Sequence, residues 1–370
     1  MDEENLKHHF KTKKNILIFL IITILTLVSL IFNRLLLSNT SKDLKQISSE
    51  RLIYNGIPSR IIIFKDENEN ERGNQQKIID ASWKEFDRIG MIVNPFSNSS
   101  EVAQLNNRYK KSSELISVSK DLAKLINYSI QINSTSNGAF DPTVWPIKNL
   151  WNKAREHDRP PSQQELDIVL KDVGMHLITL DLQNRLRFLR PNVKLDFGGI
   201  AKGYAVDLVR DLLQKNGVLD GLVQCGGETA SWSKKFSSKE WKIAIQHPKN
   251  SNTLWGVIKR VGSIRASTSG NYRQPIKIQG KEYYHIFNPK TAKPVSDKIL
   301  SVTLISFSDV VSNATIDALT KSILVLGERE GIKVIKKFKE IEWVIIIERD
   351  GSLIEFVSDG LKPYYTSLHI

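Results

Sequence analysis

The stretch Ile16 to Phe32, ILIFLIITILTLVSLIF, is uncharged and almost wholly apolar. It is close to the minimum for a helix that spans a bilayer, for which ~20 apolar residues are typical. Lys7, Lys11, Lys13 and Lys14 precede it, so the positive-inside rule keeps the N-terminus in the cytoplasm. A cleaved signal peptide is the rival reading. Against it, the run is long for a signal core, and Asn33-Arg34-Leu35-Leu36-Leu37 offers neither a small-x-small cleavage site nor a cysteine for lipid attachment. The expected organisation is a cytoplasmic segment 1–15, a transmembrane signal anchor 16–37, a polar tether 38–51 and one domain, 52–370. The chain is expected to cross the inner (cytoplasmic) membrane once, with that domain on the extracytoplasmic, periplasmic side.

The rest of the chain has globular composition. Of 370 residues, 41% are hydrophobic and 25% charged, enough for one large domain or two small ones. The formal charge of +13 suits either an anionic partner or a lysine-rich surface with no specific partner. No nucleic-acid-binding motif and no arginine-rich tract is present, so nucleic acid is not expected as a partner. The single cysteine, Cys225, excludes a disulfide framework and a cysteine-rich metal site within one chain. It follows an apolar run, which suits burial.

Periodicity mixes helix and strand. Ile78, Ile79, Trp83, Phe86 and Ile89 recur at helical spacing, as do Leu122, Leu125, Ile126 and Ile130 behind a Ser119 cap. Ala201, Tyr204, Ala205, Leu208 and Leu212 form a third stripe, stopped by Gly217. Strands are expected at 60–64, 177–182, 186–189, 193–195, 221–223, 241–245, 255–261 and 300–306. A helix is expected near 328–338, then a hairpin of 343–347 and 353–357 around Asp350-Gly351. Without a strict βαβ rhythm, the fold class is α+β.

Several clusters break the packing pattern. In LDFGGIAKGYAVDLV (Leu195 to Val209) a strand end meets Asp196, the pair Gly198-Gly199 and Lys202, and then a helix. The free first-turn amides of such a helix suit a phosphate or an ordered carbonyl-metal arrangement. The pattern also describes a tight packing turn with no ligand. It is neither a Walker A loop nor G-x-G-x-x-G. Asp317, Thr320 and Lys321 share a helix face. A carboxylate and a hydroxyl there can ligate a hard cation such as Mg²⁺, and Asp317 can equally pair with Lys321. His285, between apolar residues, is either a core histidine or a group that moves a proton near neutral pH.

Taken together and in order, these clusters resemble the ApbE family, the FAD:protein FMN transferases. The matching text is Ser100 to Asn106, Gly138 to Trp151, Asp196 to Asp207, Thr268 to Arg273, His285 to Pro294 and Asp317 to Gly327. The resemblance implies a single ApbE-like domain that binds FAD as substrate with Mg²⁺. It implies transfer of FMN to a threonine hydroxyl of an extracytoplasmic flavoprotein subunit, with release of AMP. By position it assigns flavin contacts to Asn55, Ala139, Phe140, Asp141, Asp196, Lys202 and Phe287. It assigns the metal to the Gly199 carbonyl and Asp317, with Thr320 and Lys321 at two further ligand positions, and the proton-accepting role to His285. The resemblance thereby makes Asp317 catalytic, through the metal. Lys321 stands where many members have a threonine, Asn288 and Glu228 where they have aspartate, and Ala292 where they have glycine. An ammonium has no lone pair to give a metal, but it can pair with Asp317 or replace part of a cation's charge. Two other activities fit the same residues: an FAD pyrophosphatase, with water as acceptor, and a membrane-anchored FAD-binding protein without turnover.

Overall fold

The computed structural model describes residues 44–54, 56–66, 72–108, 113–233, 240–270, 276–295 and 298–369. Residues 46–64 and 71–370 make one compact unit, while the other unit, 1–45 and 65–70, lies almost wholly outside the described residues. The expected cytoplasmic segment and membrane span, 1–15 and 16–37, fall outside them. Among the described residues no helix is long and apolar enough to cross a membrane. Residues 44–51, expected to belong to the tether, are part of a strand.

The first strands and helices are β1 (Leu44–Ile53), β2 (Ile57–Asp66), α1 (Arg72–Val93), α2 (Glu101–Asn107), β3 (Ile116–Ser117), α3 (Lys120–Thr135), α4 (Trp145–Glu156) and α5 (Gln163–Leu170). Then come β4 (Ile178–Leu180), β5 (Arg185–Phe188), α6 (Ala201–Lys215), β6 (Asp220–Cys225), β7 (Glu228–Trp232), β8 (Glu240–His247), β9 (Asn250–Val261) and β10 (Ile264–Gly270). The chain ends with β11 (Ile276–Ile278), β12 (Lys281–Tyr283), β13 (Ile299–Ser306), α7 (Asn313–Ile335), β14 (Ile341–Arg349), β15 (Ser352–Val357) and β16 (Tyr365–Ser367).

One large sheet has the order β1-β2-β6-β7-β10-β13-β14-β15. From β2 to β15 every neighbouring pair is antiparallel. This is the expected α+β class. Side chains alternate across the sheet. In β14, Ile345 and Ile347 face a core shared with the helices, and Val344 and Ile346 face the opposite one. Trp83 and Phe86 of α1, Leu125 of α3, Val209 of α6 and Ile323 of α7 fill the first core. Trp241, Ile245 and Trp255 of the small sheet β16-β9-β8 fill the second. Covered on both faces, β13 is buried along its whole length and does not alternate with polar, exposed positions.

Two local features differ from expectation or refine it. Residues 193–195, expected as a strand, have no regular secondary structure and pair with no strand among the described residues. The Asn106 amide takes the place of a partner strand: Nδ2 donates to the Leu195 carbonyl at 2.8 Å, and Oδ1 accepts from the Leu195 amide at 2.7 Å. Gly327, at φ 80° and ψ 175°, interrupts α7, so the expected helix near 328–338 is its second segment. That φ is open to glycine at no steric cost.

Candidate active site

The Asn106 clamp holds the chain where it enters the Asp196 turn. The Asp196 amide donates to the Pro142 carbonyl at 2.7 Å. Its Oδ1 accepts from the Gly198 amide at 2.8 Å, and its Oδ2 lies 2.8 Å from Lys148 Nζ. The chain then starts α6 with no side-chain cap from Ile200. One first-turn amide is answered from another helix, since Gly203 N–H donates to Asp317 Oδ2 at 3.0 Å. The approach requires glycine at 203, because a Cβ there would stand 2.3 Å from the Asn313 carbonyl oxygen.

A cleft of about 830 Å³ opens beside this helix end. Lys202, Glu228 and Lys321 line it and meet a fourth charged side chain, Asp317, buried behind them. Lys202 Nζ lies 3.6 Å from both Glu228 Oε1 and Asp317 Oδ2. Lys321 Nζ contacts Asp317 Oδ1 directly and lies 3.7 Å from Glu228 Oε1. The carboxylates are 0% and 1% exposed, and the lysine side chains 20% and 16%. The Ser267 hydroxyl donates to Glu228 Oε1 at 3.4 Å, while the buried Oε2 has no hydrogen-bond partner among the described residues.

The electrostatics follow from this packing. Burial, and then the nearby Asp317 charge, push the Glu228 carboxyl up to about 7. Burial would raise Asp317 as well, but Lys202 and Lys321 outweigh it and hold that carboxyl below its ordinary range. Burial pulls both ammonium groups down. At Lys202 the two carboxylates win and the pKa rises, whereas at Lys321 burial and the Lys202 charge win and it falls. Asp196 is held low in spite of burial by Lys148, the Gly198 amide and Lys202.

The structure gathers most of the sequence-expected residues on this cleft. Ala139, Phe140, Asp141, Asp196, Lys202, His285 and Phe287 all line it. Phe140 packs so close to Gly199 that a Cβ there would stand 3.0 Å from its ring. Phe287 is buried against Trp151, with ring centroids 6.0 Å apart. The Asp141 side chain is engaged by protein: Oδ1 accepts from Thr143 N and Oγ1, at 2.8 and 2.5 Å, and Oδ2 from Met175 N at 3.0 Å. Asn55, Tyr272 and Arg273 lie outside the described residues. Sequence reasoning gives Lys148 and Asn106 no role; it marks Gly226-Gly227-Glu228 as a cluster and Glu228 as a departure from the family pattern, without a role for its carboxylate. Glu228 directly follows the Gly-Gly turn, and Lys148 sits one helical turn after Trp145; those positions were the available signals.

Thr320 does not line the cleft. It is fully buried, and its hydroxyl donates to the Asp317 carbonyl at 2.7 Å and meets Ser269 Oγ at 2.7 Å. The donor set therefore does not suit the divalent ion that the resemblance implies. Lys321 Nζ holds Asp317 Oδ1 and offers no lone pair. A divalent ion ~4 Å from that ammonium would be repelled by about 8 kcal/mol at an effective dielectric of 20. Among the described residues no group of three or more His, Cys, Asp or Glu side chains is placed to hold a metal.

A mixed α+β domain whose cleft sets two ammonium groups beside a helix N-terminus is built to receive a phosphorylated ligand. The ApbE family model matches residues 56–345, and the chain belongs to that family. It is similar to the FAD:protein FMN transferase of Vibrio cholerae, with 31% identity over 286 residues, 76% of this chain and 83% of that protein. The FAD:protein FMN transferase of Escherichia coli K12 is 28% identical over 280 residues, 71% of this chain and 78% of the relative. Among solved structures, the flavin transferase ApbE from Vibrio cholerae superposes with a TM-score of 0.73 at 27% identity, covering 87% of this chain and 99% of that one.

Proposed function

We propose that this enzyme, a transferase, moves the FMN moiety of FAD onto a threonine hydroxyl of an acceptor flavoprotein and releases AMP. The observation that carries the reading is the convergence of Lys202, Lys321 and the α6 N-terminus on one cleft in an ApbE-family chain. In the reaction the acceptor oxygen bonds to the FMN phosphorus, the bond to the AMP oxygen breaks, and the hydroxyl proton passes to a base. His285, on the cleft wall, is the base assigned here. The lysines and the helix end answer the charge on the phosphate oxygens as that bond breaks. Asn106 positions the Asp196 turn, and the Asp317 carboxylate holds both lysines in place.

Residues 16–37 are further proposed as the anchor in the cytoplasmic membrane, with the domain on the extracytoplasmic side. Support comes from the apolar run and the lysines before it. The test mixes the chain with FAD and a candidate threonine-bearing acceptor domain and follows AMP release and acceptor mass together. AMP with an acceptor heavier by one FMN is the expected outcome. AMP with free FMN and an unmodified acceptor makes the chain a hydrolase toward that substrate. Bound FAD without AMP makes it a flavin-binding protein. His285→Ala is expected to impair transfer and spare FAD binding; loss of binding would make it a ligand or packing residue.

A further inference from the structure

We propose that Lys321 is the resident cation of this cleft: its ammonium answers the FAD pyrophosphate where a divalent metal would otherwise be required, so the chain binds FAD without a metal. The inference rests on the flavin-transferase reading above.

The placement of the side chain carries it. Lys321 Nζ is seated on Asp317, the carboxylate to which the resemblance assigns a cation, and 3.7 Å from Glu228 Oε1. Its stem crosses the glycine turn at the start of α6, since a Cβ on Gly199 would stand 3.7 Å from Lys321 Cγ and 3.9 Å from Cδ. The ammonium therefore sits beside the N-terminal end of α6, where the helix dipole favours an anion; the Ala201 and Gly203 amides there are already engaged, by the Phe197 carbonyl and Asp317. The side chain is 16% exposed and lines the cleft. Lys202 Nζ, 3.6 Å from Asp317 Oδ2, brings a second fixed charge to the same carboxylate. Together the two lysines carry the charge of one divalent ion. Thr320, the residue beside Lys321, does not substitute as a metal donor, because its Oγ1 is engaged by Ser269 Oγ and the Asp317 carbonyl. Lysine acts on phosphate as a point charge and needs no coordination geometry.

The experiment uses the full-length chain and measures FAD binding by quenching of flavin fluorescence, once in EDTA and once in Mg²⁺. Mn²⁺ binding in the presence of FAD is read by electron paramagnetic resonance. The wild-type chain is expected to bind FAD equally in both buffers and to take up no Mn²⁺. Lys321→Thr is expected to lose at least about tenfold in FAD affinity in EDTA, the worth of one charged hydrogen bond. It is expected to recover in Mg²⁺ and to bind Mn²⁺. Lys321→Arg, which keeps the charge, is expected to remain insensitive to EDTA, which guards against a Thr variant that fails to fold. Stoichiometric Mn²⁺ on the wild-type chain, with FAD affinity lost in EDTA, overturns the inference and leaves the flavin reading standing. So does Lys321→Thr binding FAD in EDTA as the wild type does, since Lys321 is then only an ion-pair partner. No FAD binding in either buffer by folded wild-type chain overturns the flavin reading itself, and the inference with it.

Discussion

Asp141 and Asp317 are both buried aspartates at the cleft, and their surroundings differ in kind. Asp141 is answered by neutral donors from its own loop and the next one, Thr143 and Met175. Burial keeps its carboxyl above the ordinary aspartate range in spite of those bonds. Asp317 is answered by two ammonium groups and one amide, and is held below that range. Beside it, Glu228 keeps one oxygen with no hydrogen-bond partner among the described residues. Neutral donors that close around a carboxylate fix a backbone. Lysines that stand at the rim of a cleft can also turn to a ligand.

The largest effect tests the charged half of that contrast. Asp317→Ala leaves Lys202 and Lys321 buried without their main partner. Breaking such a pair from one side costs about 3–5 kcal/mol. Urea denaturation is expected to show that loss, and AMP release from FAD to fall below detection at temperatures where the variant is folded. A folded, active Asp317→Ala would put the site elsewhere. Asp141→Ala tests the neutral half. It strands the Thr143 and Met175 amides, at about 1–3 kcal/mol for each buried group left unpaired. Here stability is expected to fall while FAD affinity, measured below the melting transition, stays within about threefold, less than the tenfold that 1.4 kcal/mol represents. The reverse result would return Asp141 to the flavin contacts that the family resemblance gives it.

What was legible in the sequence is what local chemistry determines. The apolar stripes of α1, α3 and α6 lie within one helix each, and packing keeps them. The two readings of Asp317 and Lys321, ligands or ion pair, were both visible at their i, i+4 spacing. Deciding between them needs Glu228 and Lys202, which come from different elements; Asp317 and the Gly203 amide it accepts from are 114 residues apart. The direction of Thr320 depends on how α7 packs against β10, which no spacing reveals. Residues 193–195 carry strand composition, yet their partner is a side chain 89 residues away rather than a strand. Asp141 before Pro142 is a local capping signal, and its side chain caps the turn rather than standing free for the flavin contact that the family resemblance implies.

A smaller effect comes from pH. Glu228 stands at about 7 in the folded chain against an ordinary 4.5. The folded state therefore keeps a proton that the unfolded state gives up between those values. The stability this contributes is complete below about pH 4.5, is lost as pH rises through 7 and does not change further above it. At 1.36 kcal/mol per unit the loss is about 3 kcal/mol at most. Glu228→Gln is expected to flatten that slope in urea denaturation between pH 5 and 8. An unchanged slope would mean that the proton is held elsewhere in the quartet, and would weaken the view of these four groups as one coupled unit.

The smallest effect lies between the two cases. Asp196 has one charged partner, Lys148 at 2.8 Å, and one neutral partner, the Gly198 amide at 2.8 Å. Lys148 is 29% exposed, so water can replace much of what it gives. Its head also lies over the rings of Phe96 and Trp145, 5.7 Å from each centroid, which add a weak cation–π attraction. Lys148→Met keeps the aliphatic stem and removes the ammonium. A partly exposed pair is worth about 1 kcal/mol or less, and the Gly198 amide still fixes the turn. The expected result is a stability loss of that size, with the Asp196 carboxyl moving up because its strongest partner is gone. A loss approaching that of Asp317→Ala would mean that Asp196 depends on its lysine as fully as Asp317 does. The contrast would then follow burial of the carboxylate rather than the kind of donor that answers it.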